Sequence, residues 1–461
     1  MLFSSVSFLF YFLPMVLIIN FAVPQRYRNG ILLAASLFFY AWGEPVYILL
    51  MLFSIVFNYL AGSRIQGRLS LALAVAVNLA LLGFFKYADF IIWNINSITG
   101  LKISTMGLPL PIGISFYTFQ AVSYLVDVRR GNVGRQHSLV NFGAYISLFP
   151  QLIAGPIVRL NSIEEQLCSR SVSVESFASG VRKFVCGLGK KVILANNIGI
   201  LWEQVSGIPG SELTVSGAWL GALAFTFQIY FDFSGYSDMA IGLGRMLGFT
   251  FPVNFNYPYT AGSITEFWRR WHMSLSSFFR DYVYIPLGGN RRGLVRQLRN
   301  IILVWFLTGF WHGASWNFAL WGLYFGVLLI LEKLFLLNFL GRLPSFVGRV
   351  YTLVLVMISW VLFASESLSG AVGYVQGMFG WAGGGFISDQ TLYLLRNNFV
   401  LIIILCIGST GLPLRLGMVT PEHGGTRVRA LLECIWFLGL TLVSVAYLIS
   451  STFNPFLYFR F

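Results

Sequence analysis

Charged side chains are scarce in this sequence. Only 10% of its 461 residues are charged, 57% are hydrophobic, and the mean hydropathy is +0.74. Soluble domains carry about 25% charged residues, and a chain this apolar cannot cover its surface with polar groups. The shortage excludes an ordinary soluble domain and predicts a chain that is solvated largely by lipid.

Cysteine and histidine are also rare, with four residues of each. The cysteines, at positions 168, 186, 406 and 434, show neither metal-ligand nor redox spacing. The chain also lacks a GxSxG nucleophile motif and a P-loop. We therefore predict no metal site and no tightly bound cofactor. If the protein is an enzyme, proton transfer by histidine is the chemistry most open to it.

Basic residues outnumber acidic ones, which gives a formal net charge of +14. Such an excess is typical of nucleic-acid-binding proteins, but here the basic residues are scattered between apolar runs and the polar segments are short. Positively charged cytoplasmic loops of a membrane protein explain the excess better. We predict no nucleic-acid partner.

Apolar segments recur along the whole chain. A membrane-spanning helix needs about 20 mostly apolar residues, and roughly ten to thirteen segments are candidates, some of them short enough to be re-entrant. They lie at residues 7–23, 31–42, 46–62, 69–93, 109–126, 177–201, 217–247, 298–312, 315–340, 347–363, 399–414 and 431–449. No repeat or long linker separates them. The sequence therefore predicts an all-α polytopic membrane protein with one domain over residues 1–461.

The positions of the arginines predict the orientation of the chain. Short cytoplasmic loops carry an excess of Arg and Lys. Basic residues follow the first, third and fifth apolar segments, at Arg26, Arg28, Arg64, Arg68, Arg129, Arg130 and Arg135, whereas the turn at 94–108 carries only Lys102. Segment 7–23 lacks a secretory cleavage pattern and is expected to remain as the first span. The N-terminus is therefore predicted to lie outside the cell membrane.

The densest basic stretch is residues 266–299, which hold seven arginines and no lysine. On helical spacing one face carries the aromatic and apolar side chains Trp268, Trp271, Leu275, Phe278 and Tyr282, and the opposite face carries Arg269, Arg270 and Arg280. This pattern predicts an interfacial amphipathic helix that contacts membrane lipids. The arginines either anchor the helix or bind a phosphate-bearing donor such as a coenzyme A thioester. His272 lies at the edge of the aromatic face.

Two aspartates occur inside an apolar segment, where ionisable groups are costly. On one helix Gln228, Asp232 and Tyr236 share a face, and Asp238 lies on another. For Asp238 we favour a structural pair with an arginine or hydroxyl. Asp232 is open to two interpretations, as an orienting partner for a histidine or as a packing contact.

His312 also lies within an apolar segment. Helical spacing puts Thr308, Ser315 and Trp316 on its face, and Gly309 leaves room beside it. A neutral imidazole is a competent general base, and the neighbouring tryptophans would exclude water. The alternative is a hydrogen bond between packed helices.

Several long motifs carry a resemblance. The segments FWRRWHMSLSSFFRDYVYIPLGGNRRG and GFWHGASWNFALWGLYFG, together with residues 109–131, 148–159, 228–249 and 454–461, closely resemble the membrane-bound O-acyltransferases. Within that family they are similar to the bacterial polysaccharide branch, which includes alginate O-acetyltransferases. The resemblance covers almost the whole chain.

The resemblance implies that His312 is the principal catalytic residue and that His272 belongs to the active site. It implies a ring of transmembrane and re-entrant helices around a central tunnel in the bacterial inner membrane, so that the N-terminus predicted from the basic loops would be periplasmic. The implied donor is cytosolic acetyl-CoA, and the implied partner is a periplasmic protein that accepts or transfers the acetyl group for an exopolysaccharide, alginate or bacterial cellulose. Substrate-binding roles are predicted for Trp311, Asp232, Tyr236, Arg269, Arg270 and Arg280.

Three alternatives remain at this stage. The first is a transporter or flippase for an acyl carrier or a lipid-linked sugar. The second is an O-acyltransferase that acts on peptidoglycan, lipid or protein. The third concerns the mechanism, in which a covalent acyl-histidine replaces direct transfer.

Overall fold

The computed structural model describes residues 1–415, 427–450 and Leu457. In these residues the chain forms helices joined by turns and irregular segments, and no β-strand occurs among them. The predicted all-α class is confirmed. The motif at 454–461 lies, apart from Leu457, outside the described residues.

Six of the described helices are long and apolar enough to cross a membrane: Arg68–Thr99, Val174–Ser206, Trp316–Leu340, Ser345–Ala364, Asp389–Gly408 and Ala430–Ser450. Two shorter apolar helices are Phe8–Ala22 and Ile48–Arg64. This number is lower than the sequence suggested. Helix Val215–Met246 is not among the six, and almost all of its side chains are buried within the protein.

The described chain divides into two compact units, and the first comprises Met1–Phe184 and Tyr236–Val253. Its helices include Leu13–Ala22, Gln25–Gly43, Ile48–Arg64, Arg68–Thr99, Ile114–Arg130, Leu139–Ser147, Phe149–Leu152 and Leu160–Cys168. Asn58 and Asn78 exchange side-chain hydrogen bonds of 3.0 and 2.8 Å between two of these helices. Because both amides are buried, the pair stabilises this helix packing without exposing polar groups to lipid.

The second unit comprises Val185–Gly235 and Asn254–Phe461. Its described helices include Asn196–Ser206, Ile264–Arg270, Met273–Phe279, Leu294–His312, Trp316–Leu331, Leu337–Leu340, Ser345–Ala364, Leu368–Met378, Asp389–Gly408, Leu412–Arg415 and Arg427–Ser450. Helix Val215–Met246 contributes residues to both units. The prediction of one domain over residues 1–461 stays a prediction.

Helices Leu294–His312 and Trp316–Leu331 pack closely through two glycines. A Cβ atom on Gly309 would overlap the carbonyl oxygen of Phe318, and one on Gly322 would overlap that of Trp305. Small residues at a crossing let two backbones approach each other in this way. The space beside Gly309 is therefore filled by the next helix, so our prediction that it leaves room beside His312 was wrong.

A buried glutamate holds the start of helix Ile264–Arg270. Glu332 lies on a π-helical turn, Glu332–Leu336, and is fully buried. Its carboxylate accepts hydrogen bonds from the backbone N–H groups of Ile264 (2.6 Å) and Thr265 (2.8 Å), and from the Thr265 hydroxyl (2.6 Å). An anion at a helix N-terminus satisfies the first free N–H groups and interacts favourably with the helix dipole.

Candidate active site

His312 is the last residue of helix Leu294–His312, because Gly313 adopts an extended conformation with φ −162°. The imidazole is 9% exposed. The rings of Trp321 and Phe363 meet it edge-on at centroid distances of 5.2 and 5.3 Å. The base candidate is therefore enclosed by aromatic side chains.

Because the helix ends at His312, the side chains next to the imidazole differ from those that the sequence predicted. The prediction that Ser315 and Trp316 share its helical face was wrong, because Ser315 is the residue that precedes the next helix, Trp316–Leu331. Thr308 lies one turn before His312 and donates its hydroxyl to the Val304 carbonyl at 2.7 Å. Neighbours of the imidazole come instead from later helices, through Trp321 and Phe363.

His272 interrupts the stretch that the sequence predicted as one amphipathic helix. Its φ of 43° is left-handed, and the chain forms two short helices, Ile264–Arg270 and Met273–Phe279, on either side. The predicted continuous helix was therefore wrong. Periodicity did not reveal the break, because only Trp271 and His272 leave the helical conformation and the apolar residues keep a helical spacing in the sequence on both sides.

The broken helix is also less interfacial than predicted. Trp268 and Trp271 are buried. Trp271 contacts Trp360 at a ring-centroid distance of 5.0 Å, and Trp360 stacks on Trp321 at 6.0 Å. Trp268 and Trp271 therefore belong to a buried aromatic cluster that continues to the rings around His312, and membrane lipid does not cover them.

Asn254 holds the bend at His272. The Asn254 carbonyl accepts a hydrogen bond from Met273 N at 3.0 Å, and its side-chain Oδ1 lies 3.2 Å from His272 Nδ1. The Ser274 backbone N–H and hydroxyl donate to the same Oδ1 at 3.2 and 2.9 Å. His272 is 1% exposed, and the Phe233 ring meets it at a right angle at 4.8 Å. The imidazole is therefore fixed in place on several sides.

Trp311 brings the two histidines into one neighbourhood. Its ring lies 4.9 Å from the ring of His312 and 6.4 Å from that of His272, between centroids. All three residues belong to the second unit. Two imidazoles that are distant in sequence thus converge on one buried indole.

The three arginines proposed to bind substrate differ in their surroundings. Arg269 is exposed, and Arg280 is exposed and paired with Asp281 at 2.7 Å. Arg270 pairs with Glu266 at 2.6 Å and donates to the Thr260 hydroxyl at 3.2 Å. A cavity of about 840 Å³ is lined by polar residues, glycines and leucines, among them Thr260, Ser263, Glu266, Arg270 and Arg349. Of the three arginines, only Arg270 lines this cavity.

Asp232 and Asp238 both pair with lysines. Asp232 lies 2.6 Å from Lys191, each side chain being 2% exposed, and its other oxygen accepts a hydrogen bond from Leu457 N at 3.0 Å. Between the two interpretations of Asp232, the contacts favour packing, because Asn254 rather than Asp232 bonds to His272. Asp238 pairs with Lys183 at 2.7 Å, a lysine where an arginine or hydroxyl was expected.

Tyr236 belongs to the first unit, where it is buried and stacks on Phe3 at a centroid distance of 4.5 Å. Among the residues that the structure describes, no group of three His, Cys, Asp or Glu side chains is arranged to hold a metal ion. The substrate-binding roles of Tyr236, Asp232 and the arginines stay predictions.

The sequence reasoning missed two residues that shape this site, Asn254 and Glu332. Glu332 left a usable signal, because it is the one acidic residue in the apolar helix Trp316–Leu340, and such residues in membrane helices are functional candidates. Asn254 left none, because polar residues in a short connecting segment are ordinary.

Comparison with known proteins identifies the family. Residues 45–368 match the model of the membrane-bound O-acyltransferase family. The chain belongs to this family. It is accordingly a multi-pass membrane protein and an O-acyltransferase, which decides against the transporter or flippase.

Several relatives in the membrane-bound O-acyltransferase family are similar over most of their length. A probable alginate O-acetylase of Azotobacter vinelandii is 39% identical, with both chains covered completely. A probable alginate O-acetylase of Pseudomonas aeruginosa is 44% identical over 82% of this chain and 75% of its own. A peptidoglycan O-acetyltransferase of Helicobacter pylori is 36% identical over 83% of this chain and 80% of its own.

Proposed function

We propose that this O-acyltransferase moves an acetyl group from cytosolic acetyl-CoA across the bacterial inner membrane to a periplasmic acceptor. The acceptor is a partner protein that accepts or passes on the acetyl group for O-acetylation of an exopolysaccharide. Alginate is the first choice of polymer because the similar relatives include probable alginate O-acetylases. Acetylated bacterial cellulose is the second choice, because the resemblance to the bacterial polysaccharide branch implies it as well.

The observation that carries the proposal is the convergence of His272 and His312 on the Trp311 ring. Acyl transfer to a hydroxyl needs a base, and a buried imidazole within an aromatic enclosure suits that role. His312 takes the proton of the acceptor hydroxyl as its oxygen attacks the thioester carbonyl. The C–S bond then breaks, and the leaving thiolate takes a proton from the imidazolium.

The position of His312 at a helix end supports its role as a base. The C-terminal end of a helix carries partial negative charge, so a cation there is stabilised by about 0.3–1 kcal/mol. His312 is an imidazolium only while it holds the proton of the acceptor hydroxyl. The helix end therefore stabilises the intermediate stage of the reaction, in which His312 is charged. General base catalysis of this kind contributes on the order of 10²–10⁴ in rate.

The donor's phosphates need a basic, water-accessible surface. Arg269 and Arg280 are exposed on the 266–299 stretch, and Arg270 lines the polar cavity with Arg349. Arginine binds phosphate through two parallel hydrogen bonds, so we assign the phosphates of acetyl-CoA to this surface. Trp311 is assigned to the acyl group because its ring contacts both imidazoles.

The decisive test is His312→Ala in the source bacterium, in place of the chromosomal copy. Ester-bound acetate, released from the extracellular polysaccharide by mild alkali, should fall to background while the protein remains in the membrane at wild-type level. His137→Ala is the matched control, because His137 is an exposed histidine of the first unit. Wild-type acetate content in His312→Ala would overturn the assignment of the base.

The same strains test a second candidate function, acetylation of peptidoglycan, which the Helicobacter pylori relative favours. Acetate should be measured separately in extracellular polysaccharide and in purified cell wall. Loss of acetate from the cell wall alone would show that peptidoglycan, and not an exopolysaccharide, is the acetylated polymer. The proposed chemistry at His312 would be unaffected.

A further inference from the structure

The side-chain oxygen of Asn254 is a junction of three hydrogen bonds. The Ser274 backbone N–H (3.2 Å), the Ser274 hydroxyl (2.9 Å) and His272 Nδ1 (3.2 Å) all lie within bonding distance of it. A backbone N–H only donates. The atom that it meets must therefore be the carbonyl oxygen of the amide, which fixes the orientation of Asn254.

This orientation decides the protonation of His272. The Asn254 oxygen only accepts, so Nδ1 of His272 must carry a hydrogen in order to bond to it. A neutral imidazole has one N–H, and its other nitrogen is an acceptor. Nε2 of His272 therefore presents a lone pair.

That lone pair has no hydrogen-bond partner among the described residues, although Nε2 is buried. Buried polar atoms are nearly always hydrogen-bonded. The Trp311 ring lies 6.4 Å from the ring of His272 and 4.9 Å from that of His312, between centroids. An unpartnered acceptor on an imidazole that shares a neighbouring ring with the proposed base is suited to a group that arrives with the substrate.

We propose that Asn254 is a positioning residue that holds His272 as the Nδ1–H tautomer, so that Nε2 accepts a hydrogen bond from an O–H or N–H group of the substrate. This rests on the proposed function, in which both histidines face the reacting groups. Two sources supply such a donor: the hydroxyl of the acceptor, and an amide N–H of the coenzyme A arm.

The tautomer also excludes one role. Stabilising the negative oxygen of a tetrahedral intermediate needs a hydrogen-bond donor aimed at it, and Nε2 in this tautomer has no hydrogen to give. The two histidines therefore differ in function. His312 moves a proton, and His272 orients a substrate group.

Three substitutions distinguish loss of the Asn254–His272 hydrogen bond from a general disturbance of the fold. Asn254→Asp keeps an acceptor oxygen for Nδ1. Asn254→Leu keeps the size and removes the acceptor. Ser274→Ala removes one donor to Asn254 but leaves the backbone N–H that fixes the amide, so it is the matched control.

The tautomer is measured directly by ¹⁵N NMR of the full-length protein in lipid nanodiscs, with ¹⁵N-labelled histidine. A His272→Gln sample identifies the signals of His272. Wild type, Asn254→Asp and Ser274→Ala should show a protonated Nδ1 and an unprotonated Nε2, and Asn254→Leu should show a protonated Nε2. A protonated Nε2 in wild type, or no change in Asn254→Leu, would overturn the proposal.

The role of Nε2 is measured by thiol release from acetyl-CoA in inverted membrane vesicles of the source bacterium, formed in the presence of its periplasmic extract so that the acceptor is enclosed. Asn254→Leu should lower kcat about ten-fold, the effect of one hydrogen bond in the transition state, and Asn254→Asp should recover most of it. An unchanged KM for acetyl-CoA assigns the donor group to the acceptor hydroxyl, and a raised KM assigns it to the coenzyme A arm.

Failures of the two proposals are distinguishable. Wild-type vesicles that release no thiol would overturn the proposed donor, and the NMR measurement would still decide the tautomer. A shifted tautomer in Asn254→Leu with wild-type kcat and KM would overturn the substrate contact of His272.

Discussion

His272 combines two features that rarely occur together in a histidine, a left-handed backbone and nearly complete burial. Histidine is several-fold enriched among the few non-glycine residues with positive φ, and hydrogen bonds from the Asn254 segment hold it there. Water cannot reach the ring, so a positive charge on it would not be hydrated in the folded protein. Protonation of His272 is therefore coupled to the stability of the fold.

The first prediction follows from this coupling. Burial lowers the pKa of His272, which lies outside the candidate spans, from 6.5 to about 3. Between these values the unfolded chain binds the proton and the folded chain does not, so stability falls as pH decreases below about 6.5. One such group contributes about 1.4 kcal/mol per pH unit. Thermal midpoints in detergent should drop from pH 7 to pH 5.

His272→Gln should remove this part of the pH dependence, and His137→Gln should keep it. The measurement is the difference in thermal midpoint between pH 7 and pH 5 for each variant. An identical difference in wild type and His272→Gln would show that this imidazole does charge within the fold.

At the scale of elements, the crossing of Leu294–His312 with Trp316–Leu331 sets the position of His312. Because Gly309 and Gly322 place each backbone directly against the other helix, the crossing cannot widen without moving the end of the first helix. His312 lies three residues beyond Gly309, at that end.

The second prediction concerns these glycines. Gly309→Ala and Gly322→Ala should each destabilise the protein by roughly 1–3 kcal/mol, the usual cost of overpacking, and should lower polysaccharide acetylation. Gly83→Ala is the control, because a Cβ there meets nothing within 4 Å on helix Arg68–Thr99. The measurements are the thermal midpoint and ester-bound acetate. Equal midpoints for all three variants would contradict the close crossing.

Helix Ile264–Arg270 depends in a similar way on Glu332. The third prediction is that Glu332→Ala lowers stability by about 1–3 kcal/mol, because two backbone N–H groups lose their acceptor, and reduces acetylation through the bend at His272. Glu332→Gln should keep part of both properties through its amide oxygen. Glu366→Ala is the control, because Glu366 is exposed.

Thermal midpoints of purified protein and ester-bound acetate from cells test this prediction together. If Glu332→Ala and Glu366→Ala behave alike, the helix start is held by Ser263 alone, whose hydroxyl accepts from Glu266 N at 3.0 Å.

Sequence patterns predicted the elements better than their junctions. The apolar runs located the helices, and His312 and His272 stood out because titratable groups are rare in such runs. Asn254 bonds to residues 18 and 20 positions away, and Glu332 to residues 67 and 68 positions away. Such contacts depend on packing that no local periodicity encodes. The bend at His272 was missed for the same reason, whereas the apolar segments 298–312 and 315–340 already divided the chain at His312, where helix Leu294–His312 ends.

At the scale of the whole molecule, the proposed reaction requires opposite sides of the membrane for donor and acceptor. The basic loops predict that residues 266–299 face the cytoplasm and that the turn at 94–108 faces the periplasm. Because Trp268, Trp271 and His272 are buried beside the rings around His312, the cytoplasmic assignment applies to the exposed residues 291–296. From Arg299, His312 lies 13 residues along one helix, roughly 20 Å at 1.5 Å per residue, against a hydrocarbon core of about 30 Å. A straight helix would leave His312 beyond the midplane, nearer the periplasm.

The fourth prediction tests this orientation with single cysteines at Thr99 and Gly293, both exposed. The background must lack the four native cysteines, since three of them are exposed. On cells with a permeable outer membrane, an impermeant thiol reagent should label Thr99→Cys and should label Gly293→Cys only after the inner membrane is broken. The opposite pattern would invert the topology and place the proposed phosphate-binding arginines on the wrong side.

The junction at Asn254 also has a consequence for ancestry. Its partners, His272 and Ser274, follow it at fixed separations of 18 and 20 residues, so an insertion or deletion between them would misplace the imidazole. Across related genomes this interval should keep a constant length while neighbouring loops vary. Lineages that lose the asparagine should lose the histidine as well, which makes the pair a marker for sorting active members from inactive ones.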